Sequence, residues 1–172
     1  MIRLPLTHVN TAIKALIAEY PKALTVAIYN NKGGIGKTTA AINLAGTLAR
    51  LDKKVLLIDF DHHQQDLSNS LGINNKNHLI KLSDVILKRH KISSTITSIS
   101  GKFKNQNNSV VNRSFDVIPG DEFMNWERTP AIQYNVVDKT LKQILKPLVD
   151  NYDYIIIDTP PNGSVGVEGK KV

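Results

Sequence analysis

Ten residues, Asn30 to Thr39 (NNKGGIGKTT), constrain this chain more than any other stretch. They follow a short apolar run rich in β-branched residues, Leu24–Asn30 (LTVAIYN), which reads as a buried strand. They precede Thr38–Leu51 (TTAAINLAGTLARL), where Ala41, Leu44, Ala45, Leu48 and Leu51 recur at helical spacing. A second apolar strand, Lys54–Phe60 (KVLLIDF), follows. Strand, glycine loop, helix and strand form a βαβ unit, the setting a phosphate-binding loop requires. The loop departs from the standard G-x-x-x-x-G-K-[ST] pattern, because Asn31 stands where the first glycine belongs. In exchange it carries a second lysine, Lys32.

Gly33, Gly34 and Gly36 permit backbone angles that side chains disfavour, so successive N–H groups can turn inward as a nest for phosphate oxygens. The helix starting near Lys37 adds its N-terminal partial positive charge. In such a loop Lys37 reaches the β- and γ-phosphates and Thr38 offers its hydroxyl to Mg²⁺. The competing reading is a glycine turn that binds nothing. From average residue frequencies, KGGxGK[ST] arises by chance in a chain this long with a probability of roughly 10⁻⁵.

Further along, Leu79–Lys91 reads as a helix and the asparagine-rich Gly101–Arg113 as a mobile loop. Ser114–Ile118 (SFDVI) is a third strand, stopped by Pro119-Gly120. Val136–Val149 is an amphipathic helix, with Pro147 near its end. Tyr152–Asp158 (YDYIIID) is a fourth strand. Val9–Glu19 reads as a short amphipathic helix. Alternating strands and helices predict a mostly parallel sheet flanked by helices, with ligands beyond the C-terminal strand ends. The loop, the Asp59–Asp61 pair and Asp158 converge there. Asp158 can hold Mg²⁺, through water, or simply start a turn. Asp61 can orient the attacking water, with capping of the turn at 62–65 as the alternative. His62 and His63 point to opposite faces of an extended chain, which disfavours a shared metal.

Composition narrows the classes. Cysteine is absent from the 172 residues, which removes disulfides, thiolate metal sites and cysteine nucleophiles. No run approaches the roughly 18 apolar residues of a membrane span. The first twenty residues lack the apolar core of a signal peptide, so a cytoplasmic location without membrane attachment is expected. The net charge of +7 fits either a polyanionic partner or a solvated basic surface. Lys88, Arg89 and Lys91 form the only internal knot of positive charge, without interleaved aromatics.

NNKGGIGKTT resembles the deviant Walker A box, KGGxGK[ST], of the ParA/MinD group of P-loop ATPases. KVLLIDFDHHQQDLSNSLG is similar to the family's VLLIDxDPQxxxS segment, FDVIPGDE to its third-strand segment, and YDYIIIDTPP to its Walker B strand. An aspartate followed by a glutamine-containing loop resembles the ParA, or DNA-partition, branch. The resemblance covers about Leu24 to Pro161. It implies a P-loop fold with about four strands here in the order third, second, fourth, first, and later strands missing. It also implies an N-terminal helical extension over 1–23, the ATPase domain over 24–161 and a disordered tail outside the family pattern over 162–172. The strand before the loop is then expected to be an exposed edge.

By the same resemblance, ATP lies on Gly33, Gly34, Ile35, Gly36, Lys37, Thr38 and Thr39, and Mg²⁺ on Thr38 and, through water, Asp158. Lys32, Lys37 and Asp61 carry the catalytic roles. Lys32 is implied to reach the nucleotide of a partner subunit across an ATP-dependent homodimer, and Asp61 to couple to hydrolysis. Nonspecific DNA and a ParB-type centromere-binding protein are the implied partners, with nucleoid association. One departure is local: the family's D-P-Q is here Asp61-His62-His63-Gln64. Two alternatives stay open, a remnant without turnover that at most binds phosphate or a full-length relative, and a MinD-type or other positioning ATPase of the same fold.

Overall fold

The computed structural model describes residues 23–30, 32–61, 65–73, 80–86, 90–104, 108–121 and 142–160. The helix expected over Val9–Glu19, His62 and His63, the knot residues Lys88 and Arg89, and residues 136–141 of the helix expected over Val136–Val149 lie outside them; of that helix the described part is helical over 142–145 and turns from 146 on.

Each apolar run becomes a strand. β1 is Leu24–Ile28, β2 Val55–Asp59, β3 Thr97–Lys104, β4 Val110–Ile118 and β5 Tyr154–Asp158. They form one sheet in the order β1-β5-β2-β4-β3. The first four of these are parallel neighbours, with Ile28 beside Asp158 and Asp59 also beside Asp158 in the register. This is the expected order. β1 is the sheet's edge among the described residues, and Leu24 there is 59% exposed.

Residues Gly101–Arg113 correct the sequence reading. Residues 101–104 and 110–113 belong to antiparallel strands rather than to a mobile loop: β3 pairs with β4 from Thr97↔Val117 to Lys104↔Val110. The sheet therefore has a fifth strand, and the strand expected at Ser114–Ile118 starts four residues earlier, at Val110.

β2 is buried along its whole length, as a central parallel strand must be. Its side chains alternate between two cores. Leu56 and Ile58 join Ile118, Ile155, Ile157, Leu82, Val85 and Leu145 on one face. Val55 and Leu57 join Val117, Phe115, Ile156 and the first helix on the other.

That helix, α1, spans Lys37–Arg50. Its buried stripe is Ala41, Ala45 and Ala49, at intervals of four. Leu44 and Leu51, expected on the inner face, are instead 38% and 62% exposed. Small side chains let the helix axis approach the sheet closely, which holds its N-terminus against the strand tips. Two single-turn helices, α2 (Asp66–Ser70) and α3 (Leu82–Ile86), pack at the ends. Of the longer helix expected over Leu79–Lys91, α3 is the helical part among the described residues; Ile80, Lys81, His90 and Lys91 are described and are not helical.

Candidate nucleotide site

The loop between β1 and α1 has the backbone its glycines allow. Gly34 sits at φ 71° and Gly36 at φ 85°, both left-handed, and Gly36 is the N-cap of α1. A Cβ at either position would meet only open space, so the backbone angle rather than crowding selects glycine. No side chain caps α1, and its first turn contains no acidic residue. Its leading N–H groups and its dipole therefore face the loop unopposed by a carboxylate of its own. Lys37 and Thr38 are half-buried at the start of α1, while Lys32, Gly33, Gly34, Ile35, Gly36 and Thr39 are exposed. Asn30 folds back on the loop: its Oδ1 accepts the Lys32 backbone N–H at 2.8 Å.

Opposite the loop stands the tip of β5. Asp158 is 1% exposed, and neither of its buried oxygens has a hydrogen-bond partner of good geometry. Burial raises its pKa above the ordinary carboxylate value. The Thr38 hydroxyl and the Lys37 ammonium nearby oppose that shift, and the charges of Asp61 and Asp66 reinforce it. A buried carboxylate facing a threonine hydroxyl and a lysine, beside an exposed glycine loop at a helix N-terminus, suits a hard divalent cation carrying phosphate oxygens. Thr159, just after β5, donates from Oγ1 to the Ile28 carbonyl at 2.8 Å, which locks the two strand tips together.

The tip of β2 supplies the third part. Asp61 is buried at 7% exposure, and its backbone N–H donates to Asp59 Oδ1 at 3.2 Å. Asp59 itself is 1% exposed. Its Oδ2 accepts the Ser68 N–H at 3.0 Å and the Ser68 hydroxyl at 2.6 Å. Burial pushes the Asp59 carboxyl up to about 6, against the hydrogen bonds from Ser68 and Asp61, with some repulsion from Asp158. The structure thus brings the loop, Asp61 and Asp158 together at one sheet edge. It adds Ser68 and Gly120, which the sequence reading passed over. The signal for Ser68 was present: it ends the resemblance segment VLLIDxDPQxxxS.

Asp59 gives a pH prediction. Its folded-state pKa, about 6, lies above the ordinary 3.8, so the folded chain holds a proton that the unfolded chain has released. Stability therefore falls as pH rises through this window, by at most about 1.4 kcal/mol per pH unit from this group. Asp158 acts in the same direction. Urea denaturation of the nucleotide-free chain across about pH 4 to pH 7 should show this decline, and Asp59→Asn should flatten it.

A family model described as an AAA domain matches residues 23–168. The chain belongs to that family. Within it, the chain is of the ParA/MinD group of P-loop ATPases, on the partition branch. It is 31% identical over 137 residues to the chromosome partitioning protein ParA of Myxococcus xanthus, matching 80% of this chain and 44% of the relative. Among solved structures, pNOB8 ParA bound to nonspecific DNA superposes with a TM-score of 0.58 at 31% identity, covering 85% of this chain and 49% of that one. An ATP complex of a Cyanothece McdA variant gives a TM-score of 0.64 at 26% identity, covering 84% and 52%. The chain thus spans about half the length of each. Among the described residues no helix is long and apolar enough to cross a membrane, and no group of three or more His, Cys, Asp or Glu residues could hold a metal.

Proposed function

We propose that the chain is a ParA-type ATPase that binds Mg-ATP, dimerises on it and hydrolyses it to drive partition of DNA. One observation carries the reading: the buried carboxylate of Asp158 stands beside Lys37 and Thr38 at the mouth of a left-handed glycine loop. ATP phosphates would lie on the backbone of Gly33 to Thr39, with Lys37 on the β- and γ-oxygens. Thr38 and Asp158 would hold Mg²⁺, which when bound offsets the charge of those oxygens. Asp61 would orient the attacking water. Nonspecific DNA, seen with pNOB8 ParA, and a ParB-type protein are the proposed partners.

Lys32 is assigned to the partner subunit's nucleotide. Its side chain is exposed at the front of the loop, beyond the nest that Lys37 serves. Two nucleotides facing one another concentrate negative charge, and a cation from each side offsets the repulsion. Sedimentation with and without ATP tests both statements. Wild type should shift from monomer to dimer on adding Mg-ATP. Lys32→Ala should keep ATP affinity within about threefold yet lose that shift, because one exposed charge at a distance contributes little to this chain's own site. ATP binding without any shift in wild type would favour the second reading, a phosphate-binding chain without turnover. The observation favouring that alternative is the departure of Asp61-His62-His63-Gln64 from the family's D-P-Q.

A further inference from the structure

We infer that Ser68 is a positioning residue that, with Asp59 and Gly120, clamps the backbone of Asp61 in place at the nucleotide site. The clamp deepens the ATPase reading and rests on it for its catalytic consequence, but its geometry stands without a nucleotide.

Ser68 is fully buried although it is polar. Its hydroxyl donates to Asp59 Oδ2 at 2.6 Å and accepts the Gly120 N–H at 2.9 Å. Its own N–H donates to the same Asp59 oxygen at 3.0 Å. The other Asp59 oxygen accepts the Asp61 N–H at 3.2 Å. One carboxylate and one hydroxyl therefore join four pieces of chain: the end of β2, the backbone of Asp61, α2, and the segment leaving β4 after Pro119. Networks of this kind fix geometry when each member is satisfied and cost stability when one is lost.

Two further observations show how tight the arrangement is. A Cβ on Gly120 would lie 2.8 Å from Asp59 Oδ2, 2.9 Å from its Cγ and 2.9 Å from Gln65 Cγ. Only glycine lets the β4 exit pass so close to the carboxylate. Gln65 holds a left-handed backbone, φ 51°, that a residue with a long side chain adopts at a cost. Its N–H donates to the Asp61 carbonyl at 3.2 Å. Asp61 is thereby held on both sides of its residue, by Asp59 at its N–H and by Gln65 at its carbonyl. Such a strained residue persists where its surroundings over-determine it: the Gln65 carbonyl accepts the Asn69 N–H at 3.0 Å, and Ser68, in the same short helix, is fixed to Asp59 and Gly120. A carboxylate meant to aim at one water gains from such fixing, since small misplacement is costly to rate.

The test compares amide hydrogen exchange by NMR in the nucleotide-free full chain for wild type, Ser68→Ala and Asp59→Asn. Asp59→Asn keeps the shape but cannot accept on both atoms, so it carries the comparison if Ser68→Ala fails to fold. Asp61 should exchange about tenfold faster in either variant, while Ile156 in the central strand is unchanged. Turnover of Mg-ATP should fall about tenfold with KM within about twofold. Unchanged exchange at Asp61, or a rise at Ile156 in step with it, overturns the clamp. So does a loss of turnover that appears entirely in KM. A wild-type chain that neither binds nor hydrolyses ATP refutes the ATPase reading instead, and the exchange result then decides the clamp alone.

Discussion

Lys37→Ala is expected to weaken binding of Mg-ATP by roughly 100-fold, since each hydrogen bond to a charged partner contributes about 1.5–3 kcal/mol and this ammonium would serve two phosphates. The fold should not be the cause of the loss. Lys37 is the first residue of α1, half-buried, and the helix is anchored instead by Ala41, Ala45 and Ala49. Alanine is also the better helix former. The substitution has a second effect on the empty site. Lys37 is one of the two groups that oppose the upward shift of the Asp158 carboxyl, so its removal leaves that buried acid more readily protonated. Affinity lost through this route recovers in part as pH rises; affinity lost with the phosphate contact does not. Titration calorimetry with Mg-ATP at two pH values separates the contributions, and an unchanged affinity would remove the basis for the nucleotide site.

The second large effect concerns stability. Ile156 is fully buried at the centre of β5, between Val26 of β1 and Leu57 of β2. It packs in the core that contains Ala41, Ala45, Leu57 and Val117. Truncating such a residue to alanine costs about 2–5 kcal/mol. Against a total of about 5–15 kcal/mol, this is a large fraction. Thermal unfolding followed by circular dichroism should show a drop of roughly 10 °C in Tm, with Ile156→Val losing far less. A drop of only about 2 °C would mean that the sheet collapses to fill the space, which its parallel ladders on both sides oppose.

Much of the architecture was legible because the parallel strands have no polar face. LTVAI, VLLID and YIIID are short apolar runs with chemistry only at their C-terminal ends, so their positions and the convergence of the loop, Asp61 and Asp158 could be read directly. The antiparallel pair was not. β3 and the first half of β4 lie at the sheet's margin with one face toward solvent, and their asparagines and lysines look like a loop by composition. The period-two signal was nonetheless there: Ile99, Gly101 and Phe103 alternate with Ser98, Ser100 and Lys102. Composition outweighed period in the reading. The inner face of α1 failed for a different reason. Leucines dominate a hydrophobic pattern, but the contact with the sheet is made by alanines, where closeness of approach rather than side-chain area decides which face turns inward.

The roles of Ser68 and Gly120 could not be read because they exist only across distance; the resemblance segment marks the position of Ser68 but not its partners. Ser68 meets Asp59 nine positions away, and Gly120 meets Ser68 across 52. No local pattern marks a serine that bridges a helix to a strand exit. The glycine looked like a turn former after Pro119, and its true constraint is the approach of a carboxylate.

The strand order has a consequence for how the molecule comes into being. Among the described residues β5 is the last strand in sequence, yet it lies between β1 and β2, the first two. Among the described residues β5 is the neighbour of β1, so this pairing waits until residues 154–158 have left the ribosome. Parallel pairing across such separations is slow, because loop closure must precede the contacts that reward it. Synthesis of the strand that carries Asp158 is therefore the step that joins β1 to β2 and brings the glycine loop and the aspartates to one edge, so the proposed site and this part of the sheet form together.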